Sequence, residues 1–183
     1  MPTILGHTTL ALALGVAFQG ERWPRRAYGV GVVCSVLPDL DVIGLKLGIP
    51  YGSLLGHRGF SHSLLAAGML GLLAMILCCR RKDWTLPLAL YLVLATVSHG
   101  VLDAFTSGGL GVGFFSPFDH HRYFFPWHPV RVSPLSLSRI LSTRFWAVLS
   151  SELCWIVAPA AFFALLTGAV KRGVLSASQA REK

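Results

Sequence analysis

Apolar and polar positions alternate along this chain in long blocks rather than with a short period. Five apolar blocks stand out, at about residues 3–18, 27–45, 61–79, 85–105 and 145–170. Each is read as a helix, because a bilayer crossing needs roughly 20 mostly apolar residues and internally satisfied backbone groups. The first block is short enough to pass for a signal peptide. It has no basic segment in front of it and no small-x-small cleavage site followed by a soluble domain, so it is expected to stay as a helix. The predicted architecture is an all-α integral membrane protein. It is a bundle of about five transmembrane helices in one domain over residues 1–175, followed by a frayed polar tail over residues 176–183.

Composition supports a lipid solvent. Hydrophobic residues make up 54% of the 183 positions and charged residues 13%, against about a quarter charged in soluble domains. Mean hydropathy is +0.62 and the pI about 9.9. The basic residues bracket apolar blocks, so they read as topology signals and not as a nucleic-acid footprint. Arg22, Arg25 and Arg26 lie in the first connection, Arg80, Arg81 and Lys82 in the third, and Lys171, Arg172, Arg181 and Lys183 after the last block. These three regions share one side, expected to be cytoplasmic in a cell (inner) membrane. The second and fourth connections then face out. The fourth, about residues 106–144, also carries Arg122, Arg131, Arg139 and Arg144, and its Pro, Phe, Tyr and Trp content suits the lipid interface. The cysteines Cys34, Cys78, Cys79 and Cys154 sit in apolar runs without ligand spacing and read as small buried hydrophobes.

The remaining ionisable residues gather on the predicted outer side. His7 opens the first helix. Asp39 and Asp41 close the second, in Pro38-Asp39-Leu40-Asp41. His57 lies in the connection, and His62 opens the third helix. His99 and Asp103 end the fourth. Charge within a membrane segment is costly and faces a partner or a cavity. Four imidazoles and three carboxylates form a nitrogen and oxygen donor set suited to zinc, manganese or iron. Each piece has a plainer reading. His99 and Asp103 share a helix face at a spacing that also suits a structural hydrogen bond. Pro38-Asp39-Leu40-Asp41 also fits a turn, and a lone His7 fits a satisfied buried histidine. His57-Arg58-Gly59-Phe60-Ser61-His62-Ser63 is harder to read as structural, although Ser61 suits the N-cap of the third helix.

With Thr106 and Gly109 added, these motifs resemble the LexA-regulated membrane-bound metal-dependent hydrolases, the YdjM-like group. Phe115-Ser116-Pro117-Phe118, Arg122-Tyr123-Phe124-Phe125 and Pro134-Leu135-Ser136 are similar to that family's outer loop. The likeness covers about residues 1–140. It implies metal-dependent hydrolysis with no defined substrate, and gives His120 and His121 no role.

Seven donors exceed one tetrahedral site. Two ions bridged by a carboxylate, or one ion whose histidines are oriented by further carboxylates, both use them. Arg58, between His57 and His62, is the candidate clamp for phosphate oxygens, or else anchors to headgroups. Ser61 and Thr106 are candidates to bind substrate oxygens, or to cap. Arg122 and Arg131 are placed to meet an anionic headgroup. The expected activity is hydrolysis of a phosphoester or related bond of a lipid-borne, phosphate-containing substrate at the outer face, with no nucleic-acid partner. A metal-ion transporter is the main alternative, and a metal-stabilised sensor or structural protein a third. Transport would require polar residues through the whole depth of the bundle, where only Glu152 breaks an apolar pattern.

Overall fold

The computed structural model describes residues 1–19, 23–133 and 143–181. Arg22, Arg139 and Lys183, and the segment Pro134-Leu135-Ser136, lie outside them. Among the described residues the fold is helical without strands: α1 Ile4–Phe18, α2 Arg26–Val36, α3 Val42–Lys46, α4 Leu64–Cys78, α5 Leu86–Ala104, α6 Thr143–Glu152 and α7 Ala158–Arg181. Three continuous stretches are long and apolar enough to cross a membrane: Arg26–Lys46, Leu86–Ala104 and Phe145–Val174. The two shorter apolar helices, α1 and α4, complete the five-helix bundle that the apolar blocks predict.

The breaks between helices have local causes. α2 meets Pro38, which has no amide hydrogen to give to the preceding turn, so the helix tightens into the 3-10 turn Leu37–Asp41 before resuming as α3. α5 begins where the Thr85 hydroxyl accepts the Leu88 amide at 3.3 Å, with Pro87 in its first turn. α4 begins two residues later than Ser61 would place it. Residues Phe60–His62 form a 3-10 turn, and Ser63 is the N-cap, its hydroxyl accepting the Ala66 amide at 3.0 Å. The π turn Leu153–Val157 joins α6 to α7, and α7 runs on to Arg181, past the expected end near residue 170.

α5 is the central helix, packed against α1, α2 and α4. Its Leu88, Tyr91, Leu92 and Ala95 form the core with Ala11, Ala27 and Cys34. The close approach of α2 depends on Gly31, where an added Cβ would lie 2.0 Å from the Tyr91 hydroxyl oxygen. That hydroxyl is buried and has no hydrogen-bond partner. Tyr91→Phe is therefore expected to stabilise the fold by about 1 kcal/mol, the lower end of the cost of an unmade buried hydrogen bond. Gly31→Ala is expected to destabilise it by roughly 1–3 kcal/mol through overpacking. Denaturation of both variants in detergent checks this, and a less stable Tyr91→Phe protein would contradict it.

Outside the core, Met69, Leu72 and Ile76 of α4 and Phe162, Leu165 and Leu166 of α7 are exposed, a surface suited to lipid. Arg26 and Lys171 mark one end of the bundle. There Arg26 pairs with Asp83, and the Lys171 ammonium donates to the Val16 and Gln19 carbonyls at 2.9 Å each, capping α1. The histidines and aspartates mark the other end.

Candidate metal centre

Four elements deliver this cluster: the Pro38-dependent turn brings Asp39 and Asp41, the loop before α4 brings His57, Arg58 and His62, the last turns of α5 bring His99 and Asp103, and α1 brings His7. Donor atoms of Asp39, His62, His99 and Asp103 all lie within 4.8 Å of one another, as do those of Asp41, His57 and His62. In the first group the two Nε2 atoms of His62 and His99 are 3.0 Å apart. Asp39 Oδ1 is 3.3 Å from His99 Nε2 and 3.7 Å from His62 Nε2, and Asp103 Oδ2 is 3.4 Å from His62 Nε2. Donors on a tetrahedral ion with bonds near 2.0–2.1 Å are separated by about 3.3 Å, so these spacings match the edges of a coordination shell.

Hydrogen bonds define which ring nitrogens carry protons. His99 Nδ1 lies 2.7 Å from the Ser35 carbonyl oxygen. A carbonyl only accepts, so Nδ1 holds the proton and Nε2 the lone pair. Ser61 donates its hydroxyl to Asp41 Oδ2 at 2.5 Å, leaving its oxygen to accept from His62 Nδ1 at 3.0 Å, and Asp41 Oδ2 faces the same nitrogen at 3.2 Å. In the neutral ring His62 Nε2 then holds the lone pair as well. The two Nε2 atoms face each other in a buried site with Asp39 Oδ1 and Asp103 Oδ1, which accept no hydrogen bond, and with Asp103 Oδ2, which meets the Arg58 guanidinium. Three carboxylates, Asp39, Asp41 and Asp103, gather around the Arg58 guanidinium, so these four side chains together are net negative. A divalent ion would offset that charge, and the donor set fits it.

Asp41 is committed elsewhere. Its Oδ1 pairs with His57 Nδ1 at 2.6 Å, and its Oδ2 also accepts the Arg58 amide at 3.1 Å. It acts on the centre through His62, as carboxylates orient ligating imidazoles in metal sites. His7 is fully buried and stacks on His99 with ring centroids 3.9 Å apart. Its Nε2 is 3.9 Å from Asp103 Oδ1, and both its ring nitrogens lack hydrogen bonds, so it borders the centre without joining the four-donor group.

Arg58 is turned inward. Its φ is +63°, unusual for a residue with a side chain. Its Nε meets Asp103 Oδ2 at 2.9 Å, Nη1 donates to the Gly108 carbonyl at 2.8 Å, and Nη2 to the Thr106 hydroxyl oxygen at 3.1 Å. Gly109, at φ +94°, leaves room for it, since a Cβ there would come within 2.7 Å of Nη1. Thr106 in turn donates to the Asp103 carbonyl at 2.7 Å. Arg58, Ser61 and Thr106 therefore touch the candidate donors or one another, and what they hold still is Asp103 and His62.

Other expectations meet different partners. Arg122 does not point outward: it donates to the carbonyls of His57, Tyr51 and Ser53 at 2.8–3.0 Å and stitches the loops together. Arg131 is exposed, and its amide is held by the Ser151 hydroxyl. Glu152 pairs with neither an arginine nor the centre. It accepts the Thr3 amide and hydroxyl, each at 2.5 Å, and so fixes the entry of α1. His121 belongs to an exposed pair with Asp119, whose carboxyl is held down to about 2 by the Tyr123 hydroxyl and the His121 amide. Burial raises the Tyr51 phenol and lowers the Arg122 guanidinium. The Ser35 carbonyl, which orients His99, carries no side-chain signal that a sequence could reveal.

Access is one-sided. His7, Arg58, His62, His99 and Asp103 are shut in, whereas the side chains of Asp39 and Asp41 are 10% and 8% exposed. The centre opens at the corner between α2 and α3.

Comparison with known proteins places the chain among inner membrane proteins. No solved structure matches the chain. The Escherichia coli (strain K12) inner membrane protein YbcI is 36% identical over 160 residues, 87% of this chain and 92% of that one. The family described as YdjM inner membrane protein matches residues 1–174. That match takes in all seven histidines and aspartates of the cluster and the apolar helices that carry them, and on it this chain belongs to the YdjM family of inner membrane proteins.

Proposed function

We propose that Asp39, His62, His99 and Asp103 hold one divalent cation and that the protein is a metal-dependent hydrolase of a lipid-borne phosphoester or related bond. The observation that carries the metal reading is the pair of buried Nε2 atoms 3.0 Å apart, with Asp39 Oδ1, which accepts no hydrogen bond, 3.3 and 3.7 Å from them. Nitrogen and oxygen donors in this number suit zinc or manganese. One ion is favoured over two because Asp41 is already saturated by His57, Arg58, Ser61 and His62. The chemistry such an ion supplies is acidification of water to a pKa near 7 and polarisation of a substrate oxygen. Arg58 is a positioning residue that orients Asp103, and Ser61 does the same for His62, directly and through Asp41. A substrate enters at the Asp39–Asp41 edge. Its lipid character follows from an opening at the end of an apolar bundle, on the side we assign to the outer face because Arg26, Arg80, Arg81, Lys82 and Lys171 belong to the opposite end, outweighing Arg122 and Arg131 at this one.

The transporter alternative needs polar groups along the depth of the bundle. Beneath the centre the core is Leu88, Tyr91, Leu92, Ala95, Ala11 and Ala27, and Glu152 is occupied by Thr3, which speaks for a closed-ended site. Asp41→Asn is expected to weaken metal binding by about 10–100-fold, the usual cost of losing an orienting carboxylate, as read by competition with a chromophoric chelator. Activity is tested with the purified chain, stripped of metal and reloaded with zinc or manganese, on phospholipids and polyprenyl phosphates. Metal-dependent product release that vanishes in Asp39→Ala is the expected result. A metal-loaded wild type that releases nothing, yet moves the ion across liposomes, would replace hydrolysis by transport.

A further inference from the structure

We infer that the cleft between α2 and α4 is the seat of one hydrocarbon chain of a membrane lipid whose polar end lies at the Asp39–Asp41 edge of the metal centre. The inference rests on the lipid-hydrolase reading and adds where the tail goes.

The two helices stand apart. Between them is a cavity of about 460 Å³ lined by Gly29, Val30 and Val33 of α2 and by Leu70, Leu73 and Leu77 of α4. Its lining is apolar apart from Arg26 at the far end, where the guanidinium is held by Asp83. Its near end is Leu37, two residues before Asp39 and one before the proline that turns the chain toward the centre. Leu70 and Leu73 also line a second apolar cavity of about 550 Å³, which climbs α4 to Phe60 and Ser61. The Ser61 hydroxyl is bonded to Asp41. One cavity thus reaches Leu37, two residues from Asp39, and the other reaches Ser61, the partner of Asp41, the two carboxylates through which the otherwise closed centre is reached.

Length and chemistry choose the occupant. From Ala66 to Ile76 the second cavity follows about 15 Å of helix at 1.5 Å per residue, which is the depth of one leaflet's hydrocarbon. A polar or charged occupant would need partners that the lining offers only in Arg26 and Ser61, already held by Asp83 and Asp41. A lipid tail needs only apolar contact, and its headgroup then falls where the donors are.

Gly29 provides a clean test, because a Cβ added there meets nothing within 4 Å; Gly29→Phe fills the cleft without disturbing the core. The full-length chain is placed in nanodiscs containing phosphatidylglycerol with a diazirine on its acyl chain, then photolysed, and labelled peptides are mapped. The expected result is label concentrated on α2 and α4, falling about ten-fold in Gly29→Phe, what losing contact with roughly two methylenes costs. Label on α7 and bound zinc stay unchanged. Label spread evenly over α4 and α7, or an α2–α4 signal that survives Gly29→Phe, would overturn the inference. Asp39→Ala separates the two readings: a cleft still labelled when metal and turnover are lost supports the seat. A labelled cleft in a wild type without turnover keeps the seat and removes the hydrolase.

Discussion

His62→Ala is expected to strip the protein of divalent metal. The affinity loss should exceed about 100-fold, the upper end of what an outer-shell change costs. His62 is the one residue common to both donor groups, with Nε2 among Asp39, His99 and Asp103 and Nδ1 against Asp41 and Ser61. Removing the ring takes away a ligand and also the element that transmits the hold of Asp41 to the centre. Metal content after dialysis against a weak chelator, measured by mass spectrometry, reads the loss directly. His121→Ala is the matched control, because that ring is exposed and bonded to Asp119, and it should retain the metal. A His62→Ala protein with a full complement of tightly held ion would end the assignment of the centre.

Asp103→Ala carries the second large effect, on stability. It leaves the Arg58 guanidinium buried without its carboxylate, and breaking one side of a buried pair costs about 3–5 kcal/mol. Adding Arg58→Met removes the stranded charge, so the double variant should recover much of that loss. Arg58→Met alone strands the carboxylate instead, and a bound cation can compensate it. Zinc should therefore stabilise Arg58→Met and fail to rescue Asp103→Ala. Unfolding in mixed micelles with increasing denaturing detergent gives the ranking. Strict additivity of the two substitutions would show that Arg58 and Asp103 are not coupled, against their 2.9 Å contact.

Much of this centre was visible in the chain because membrane segments leave few places for ionisable groups. His99 and Asp103 had to share a face of α5, and Pro38 had to break α2 where Asp39 and Asp41 follow. What escaped the sequence depended on loop conformation. Arg58 reads as a free cation between two histidines until its backbone, at φ +63°, sends the guanidinium to Asp103 and Gly108. Ser61 and Ser63 offer equal capping chemistry. The 3-10 turn over Phe60–His62 decides between them, freeing Ser61 for Asp41. The split between Asp41, which orients, and Asp39, which faces the ring of donors, depends on which way each carboxylate leaves a five-residue turn, and both identities are the same letter.

The clasp between Glu152 and Thr3 has a consequence for biosynthesis. All four proposed ligands have been synthesised once residue 103 is added, whereas the partner that pins the opening turn of α1 comes 149 positions after Thr3. During translation the earliest segment stays untied until the last span inserts. A nascent protein halted before that span would carry a complete set of proposed ligands beneath an unfastened His7, so the order of insertion separates acquiring the ion from closing over it.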